Sequence, residues 1–215
     1  MSLKRTNLFL ILLMAVALAG CGPKYIESSL PHELEKHSVQ EVGLIPFIVE
    51  SQTTGELRSG TIGEGASQII TDQFYRKLTA RHVTVIRWEE PEPAPSGDET
   101  EPLSDLQRAK QIGKRLNTST VLLGTVTTFV EREGSALGIQ RPASVGFTVQ
   151  LIHAEDGHLL WKAGYHETQK SLMEDISAYR LFFRRGSRWL TASELSEDGV
   201  ERLMAASPWA KMKAD

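Results

Sequence analysis

The sequence predicts an α/β class fold: a single domain with a mixed β-sheet packed by helices, in the element order β-α-β-α-β-β-β-α, behind a short N-terminal export segment. Three observations carry that prediction. In the first half, apolar runs of strand length alternate with stretches whose apolar residues recur every three or four positions, the pattern of strand–helix–strand units and parallel pairing. Between residues 120 and 169, three strand-length stretches follow one another without a helix, which requires antiparallel pairing. The composition, 40% hydrophobic and 24% charged over 215 residues, suits one domain of ordinary size with a core of its own.

The chain opens on Lys4 and Arg5, then an apolar run from Leu8 to Leu18, then the small residues Ala19 and Gly20 before Cys21. A basic start, a short apolar core and small residues at a cut site are the parts of an export signal. The eleven apolar residues rise about 16 Å as a helix, half the ~30 Å core of a bilayer, so the run is not a resting transmembrane span. Residues 1–20 are therefore expected to be removed, taking two cations with them and moving the formal charge from −3 to −5 over the remaining 195 residues. A mildly acidic chain without a basic run gives no support to nucleic-acid binding.

Residues 21–41 are polar and interrupted by Pro23 and Pro31, and read as a tether. As flexible coil its 20 residues after the cysteine would span about 25 Å. His32 and His37 lie in it without an acid or thiol at metal spacing, so they read as solvated side chains. The domain proper is expected over 42–207, with a C-terminal tail at 208–215.

Val42 to Glu50 is nearly all apolar, as in a strand buried on both faces, although Pro46 removes a ladder donor and predicts an edge position or a bulge. A glycine-rich stretch over 51–65 leads into a helix on which Ala66, Ile69, Ile70, Phe74 and Leu78 share a face. Strand, glycine loop and helix is also the layout of a phosphate cradle. Gly60 to Gly65 matches neither nucleotide-binding pattern, no lysine follows, and Glu64 would place a negative charge where a phosphate should sit, so the stretch reads as a connecting loop.

Val83 to Trp88 alternates as a second strand. Residues 89–102 hold six acids, four prolines and no base, and read as a disordered surface insertion. Ser104 is a natural N-cap for a helix whose apolar face is Leu106, Ala109, Ile112, Gly113 and Leu116, stopped at Asn117. A long strand from Thr120 to Glu133 is expected to bend near Gly124. Ala143 to His153 places Val145, Phe147, Val149 and Leu151 on one face, and His158 to Gln169 returns with Trp161, Ala163 and Tyr165. Asp156-Gly157 is the turn signal between them. His153 and His158 flank that turn and read as strand ends, since two histidines alone make a poor metal site. Thr191 to Glu194 is a capping box, and the helix it opens should bury Leu195, Val200, Leu203 and Met204 before Pro208.

Two stretches are candidate partner-binding surfaces. The segment between the first two antiparallel strands, residues 134–142, combines small residues with Leu137, Ile139 and Arg141 and reads as a loop that packs on its own domain, on a partner or on a second copy. Residues 179–189 mix Arg180, Arg184, Arg185 and Arg188 with Tyr179, Phe182, Phe183 and Trp189. Such a mixture suits an anionic lipid or glycan surface, or solvated arginines over a covered aromatic core.

The tetrapeptide Leu18-Ala19-Gly20-Cys21, ending in the chain's sole cysteine, resembles the bacterial lipoprotein box. The resemblance implies cleavage between Gly20 and Cys21, a diacylglycerol (commonly with palmitate chains) on the thiol and an acyl chain on the new amino group. Three chains hold a protein on a membrane durably, where one would not. Gly22, in place of the aspartate that signals inner-membrane retention in that family, implies the periplasmic face of the outer membrane. The acylated thiol is then unavailable for a disulfide, and stability must come from packing.

A second resemblance lies in Ile112-Gly113-Lys114-Arg115-Leu116 leading into Val121-Leu122-Leu123-Gly124-Thr125-Val126, followed by a hairpin whose return strand carries Trp161. This is similar to a loose group of envelope proteins that includes the curli-secretion lipoprotein, lipoprotein activators of penicillin-binding proteins and the N-terminal domain of the Tol propeller protein. It implies a non-catalytic α/β periplasmic module that binds other proteins of an envelope assembly or transport system. An oligomeric ring or pore component is the alternative, although Glu131-Arg132-Glu133 in the long hairpin would be costly in lipid and the tether is short for a reach across the cell wall. No nucleophile–base grouping, metal-ligand set or cofactor motif is legible, and Glu131 and Glu133, about 7 Å apart on one strand face, do not make a glycosidase site without a cleft. Catalytic residues, cofactors and metals are accordingly expected to be absent.

Overall fold

The computed structural model describes residues 26–29, 39–49, 62–90, 103–135, 138–169 and 188–210. Its strands are β1 (Ile26–Ser29), β2 (Glu41–Leu44), β3 (Ile48–Val49), β4 (Thr84–Arg87), β5 (Thr120–Val130), β6 (Glu133–Gly134), β7 (Ile139–Arg141), β8 (Ser144–His153) and β9 (Leu159–Thr168). The helices among the described residues are α1 (Ala66–Thr79), α2 (Asp105–Leu116) and α3 (Ala192–Ala205). The main sheet runs β1-β9-β8-β5-β2-β4, with β3 also paired to β5. The β2–β4, β2–β5 and β3–β5 ladders are parallel, and the β5–β8, β8–β9 and β1–β9 ladders antiparallel. The architecture is the expected mixed α/β sheet.

Each helix begins and ends where its sequence directs. Ser104 Oγ accepts the amide of Gln107 while the Gln107 side chain accepts that of Ser104, and Asn117 stops α2 in the left-handed region at φ 53°. Thr191 and Glu194 close the same reciprocal pair at the start of α3. α1 starts differently, with Gly65 at φ 79° and no side-chain cap.

The sheet separates two cores. On one face Ile70, Phe74 and Leu78 of α1 and Leu195, Val200, Leu203 and Met204 of α3 pack on Leu122, Val126, Val145, Phe147, Val149 and Trp161. On the other, Ala109 and Ile112 of α2 pack on Ile45, Trp88, Val121, Leu123, Ile152 and Ala154. Each fully buried large side chain contributes about 1.5–3 kcal/mol. A ring cluster joins the β2–β3 link, α1, β8 and β9: Phe47 stacks on Phe74 at 5.2 Å, and Phe147 meets Phe74 at 6.1 Å and Tyr165 at 5.6 Å.

The structure departs from the sequence reading at four places. Pro46 lies in the expected bulge, since Leu44 pairs with Leu122 but Ile48 with Thr125, yet the stretch expected to be buried throughout is divided there into β2, between β4 and β5, and β3, whose residues are exposed. Ile45 still reaches Leu122 O, and the Phe47 amide donates to Thr71 Oγ1 of α1 at 2.9 Å, so the interruption exchanges ladder bonds for a helix contact. In β5 the irregularity falls between Val126 and Thr128, not at Gly124. Gly124 is small because a Cβ there would lie 2.1 Å from the Phe47 ring. Inside the expected tether, Ile26–Ser29 pairs with β9 as an edge strand. Finally, Trp209, assigned to the tail, is 1% exposed, sits edge-on to Trp161 at 6.2 Å and donates from Nε1 to Val39 O at 2.8 Å.

Candidate partner-binding surface

Of the residues singled out in the sequence, Gly20, Cys21, Leu137, Arg184 and Arg185 lie outside the described residues, as do the tether histidines and residues 91–102 of the acidic insertion. Ile139, Arg141 and Arg188 are described, and they belong to one end of the sheet, where β5 ends and β8 begins.

That end is built by a second, small hairpin rather than the plain loop expected over 134–142. β6 and β7 pair Glu133 with Arg141 and Gly134 with Ile139. Gly134, at φ 110°, adopts a conformation that disfavours a side chain, and a Cβ on it would lie 2.6 Å from Gly138 O. The turn closes through Ser135 N to Gly138 O at 2.8 Å and Gly138 N to Ser135 Oγ at 3.1 Å. Arg141 Nη2 meets Glu133 Oε1 at 2.5 Å, with both side chains about half exposed. An exposed pair of this kind contributes at most about 1 kcal/mol, and it leaves the hairpin stem electrically neutral.

Beside the hairpin stands the start of α3. Glu131 accepts the Ala192 amide at 3.1 Å, adding a carboxylate to the positive end of the helix. Arg188 Nη2 binds Glu194 Oε1 at 2.6 Å, and that hydrogen bond holds the Glu194 carboxyl below the usual glutamate range and raises Arg188. Gln169 ties the segment's return, donating to Arg188 O at 3.0 Å and accepting the Leu190 amide at 2.8 Å. The two carboxylates compared in the sequence as an acid pair are thus engaged separately, Glu131 on a helix terminus and Glu133 on an arginine.

Two further features were not singled out from the sequence. Tyr165 donates to Glu167 Oε2 at 2.7 Å beneath α3, with Arg202 Nη1 3.7 Å from the same oxygen. Polar residues at alternate positions of β9 were the available signal. The second feature is the part of the sheet that α2 leaves uncovered. α2 ends its coverage where Asp105 accepts from Gln150 Nε2 at 2.9 Å. Beyond it the same face carries Thr127 and His166, whose polar atoms would each lie 2.7 Å from a Cβ placed on Gly146. The threonine-rich alternation of Thr125 to Thr128 was the signal there.

At the opposite end of the sheet, His153 Nδ1 lies 2.8 Å from Asp156 Oδ1, which also accepts the His158 amide at 2.9 Å. The backbone bond to His158 and the ring of His153 hold Asp156 below the ordinary aspartate range. This is a turn closure, as the sequence suggested. Among the described residues no group of three or more His, Cys, Asp or Glu side chains is placed to hold a metal ion, and no helix is long and apolar enough to cross a membrane.

No protein-family model and no curated protein matches the chain. Solved structures do. A PelC dodecamer from Paraburkholderia phytofirmans aligns with a TM-score of 0.50 at 15% identity, covering 89% of this chain and 99% of that one. Lipoprotein GNA1162 from Neisseria meningitidis aligns at 0.39 and 14% identity, over 68% of this chain and 98% of that one. The LpoB C-terminal domain from Salmonella enterica aligns at 0.36 and 12% identity, over 63% and 87%. The first likeness shows a shared fold; at these identities none shows a shared function.

Proposed function

We propose that this chain is a lipoprotein anchored through Cys21 at the periplasmic face of the outer membrane, where its domain serves as a non-catalytic, protein-binding accessory of an envelope assembly or transport system. The observation that carries the reading is the sole cysteine at the end of Leu18-Ala19-Gly20-Cys21, behind an apolar run too short to span a bilayer. The employment of the domain's acids supports a non-catalytic role. Glu131 caps α3, Glu133 and Glu194 hold arginines, and Glu167 accepts from a buried tyrosine.

Cell fractionation of wild type and Cys21→Ser tests the anchor. The wild-type protein should sediment with outer membranes at its cleaved, acylated mass, and the variant should lose both properties. A variant that stays membrane-bound with unchanged mobility refutes it. Affinity capture from detergent-solubilised membranes tests the binding role, which fails if no reproducible partner is recovered.

A second reading, in which the accessory works as a homo-oligomer, is favoured by the PelC dodecamer whose fold aligns over 99% of its length. A head-to-tail ring needs two different faces on each copy. The open polar sheet face and the distal Ala154–Gly157 turn are two such faces. Light scattering of the acylated protein in detergent should give a mass several times that of one chain; a monomer at high concentration removes this reading.

A further inference from the structure

The direction of β1 fixes which end of the domain meets the bilayer. Ile26 of β1 is level with Gly164 of β9, and Ser29 with Lys162, so the chain rises toward the Thr168 end of β9 as it runs back toward Cys21. Five peptide steps separate Cys21 from Ile26, a reach of at most about 18 Å. From the level of Gly164, the Thr168 end of the sheet is about 13 Å away, whereas the Gly157 turn is about 23 Å away in the opposite sense. The tether therefore reaches one end of the sheet and falls short of the other.

The reachable end is the one the β6–β7 hairpin adjoins, because Thr168 is level with Ser144 and Ser144 with Val130. The hairpin suits that position. From Gly134 to Ile139 it holds no charged residue, and its stem charges, Glu133 and Arg141, neutralise one another at 2.5 Å. Uncharged residues such as Gly134, Ser135, Gly138 and Ile139 enter a headgroup layer without the cost of stripping water from an ion. The Gly157 end differs: Glu155 and Asp156 are exposed there, and anionic headgroups would repel both.

We infer that the β6–β7 hairpin end of the domain rests on the phospholipid surface in which Cys21 is anchored, with the Ala154–Gly157 turn pointing away into the periplasm. The inference rests on the lipid-anchor reading above. It assigns the hairpin to the bilayer, and leaves the open sheet face and the distal turn for protein partners.

Acylation uses up the natural thiol, so a cysteine placed elsewhere is the one labelling site in the chain. Gln140→Cys in the hairpin and Glu155→Cys in the distal turn both replace exposed side chains. Each acylated variant is labelled with a fluorophore and reconstituted into phosphatidylethanolamine–phosphatidylglycerol vesicles carrying a headgroup-attached quencher. The label at 140 should lose most of its emission and the label at 155 should keep it. Equal quenching, or stronger quenching at 155, overturns the orientation. The parent protein, carrying no added cysteine, is the control for the anchor: it should take up no maleimide and carry the acylated mass. A reactive thiol at Cys21 overturns the anchor and the orientation together.

Discussion

Gly199 is the position at which the packing of α3 is most sharply testable. A Cβ added there would lie 2.4 Å from Tyr165 Cδ1, 2.5 Å from Cε1 and 2.8 Å from Cγ. Ordinary carbon contacts begin near 3.5 Å, so in Gly199→Ala either α3 retreats by about 1 Å or the Tyr165 ring turns. Retreat opens the interface over Leu195, Val200 and Leu203. A turn of the ring about its own axis leaves the hydroxyl in place, whereas swinging the whole side chain about Cα–Cβ breaks the 2.7 Å bond from Tyr165 to Glu167 in a buried setting. Overpacking costs about 1–3 kcal/mol and loss of a hydrogen bond to a charged group about 1.5–3 kcal/mol, while alanine returns about 1 kcal/mol of helix propensity. The variant should be less stable by about 1–4 kcal/mol. With a urea slope of about 2 kcal/mol/M, the midpoint followed by tryptophan fluorescence should fall by roughly 0.5–2 M at unchanged slope. Shrinking the neighbour should relieve the clash, so Gly199→Ala should cost much less in a Tyr165→Leu background. A Gly199→Ala protein as stable as wild type, or equal costs in the two backgrounds, would show that α3 does not sit on Tyr165 as described.

Removing the Trp209 side chain (Trp209→Ala) should cost about 3–5 kcal/mol by thermal or urea unfolding, as for a core tryptophan and not a tail residue. Glu131→Ala should lower stability by about 1 kcal/mol through loss of the charge at the α3 terminus, with Glu133→Ala nearly neutral. Acid should destabilise the domain. Lys77, then Arg81, hold Glu201 below its ordinary value of 4.5, and Arg188 holds Glu194 below it in the same way. A depressed carboxyl contributes stability that is whole above 4.5 and is lost as pH falls through the lower folded value. The acid limb of a stability–pH curve should therefore be shallower in Glu201→Gln, and an unchanged limb would exclude that pairing as a source of stability.

Much of this fold was legible because its signals are local. The Asp156-Gly157 turn, the Thr191–Glu194 box, the Ser104 and Asn117 caps and the alternation of Val145, Phe147, Val149 and Leu151 each specify a backbone shape within a few residues. What escaped depends on distant partners. β1 has no apolar alternation because an edge strand is held by backbone bonds to β9, which any sequence supplies. Gly124 reads as a bend until the Phe47 ring is placed over it, and Trp209 reads as a tail until Val39, 170 residues earlier, offers its carbonyl. The candidate surface was legible in part. The small residues of 134–142 marked a site of interest, but the Glu133–Arg141 closure that makes it a hairpin joins side chains eight positions apart. The role of Glu131 on the α3 amide, 61 residues away, had no local signal at all.

β5 has a further consequence through its two kinds of neighbour. Its antiparallel partner β8, and β9 paired to β8, come after it in the chain, so residues 120–168 close into a three-stranded unit. The seats of β2 and β3 are offered by β5 itself, that of β4 by β2, and that of β1 by β9. The portion made first must therefore wait for the portion made last. On the lipoprotein reading proposed above, a chain threading a membrane from its N-terminus would stay open, and so translocatable, until its second half had crossed, and self-assembly would then run backward toward the anchor.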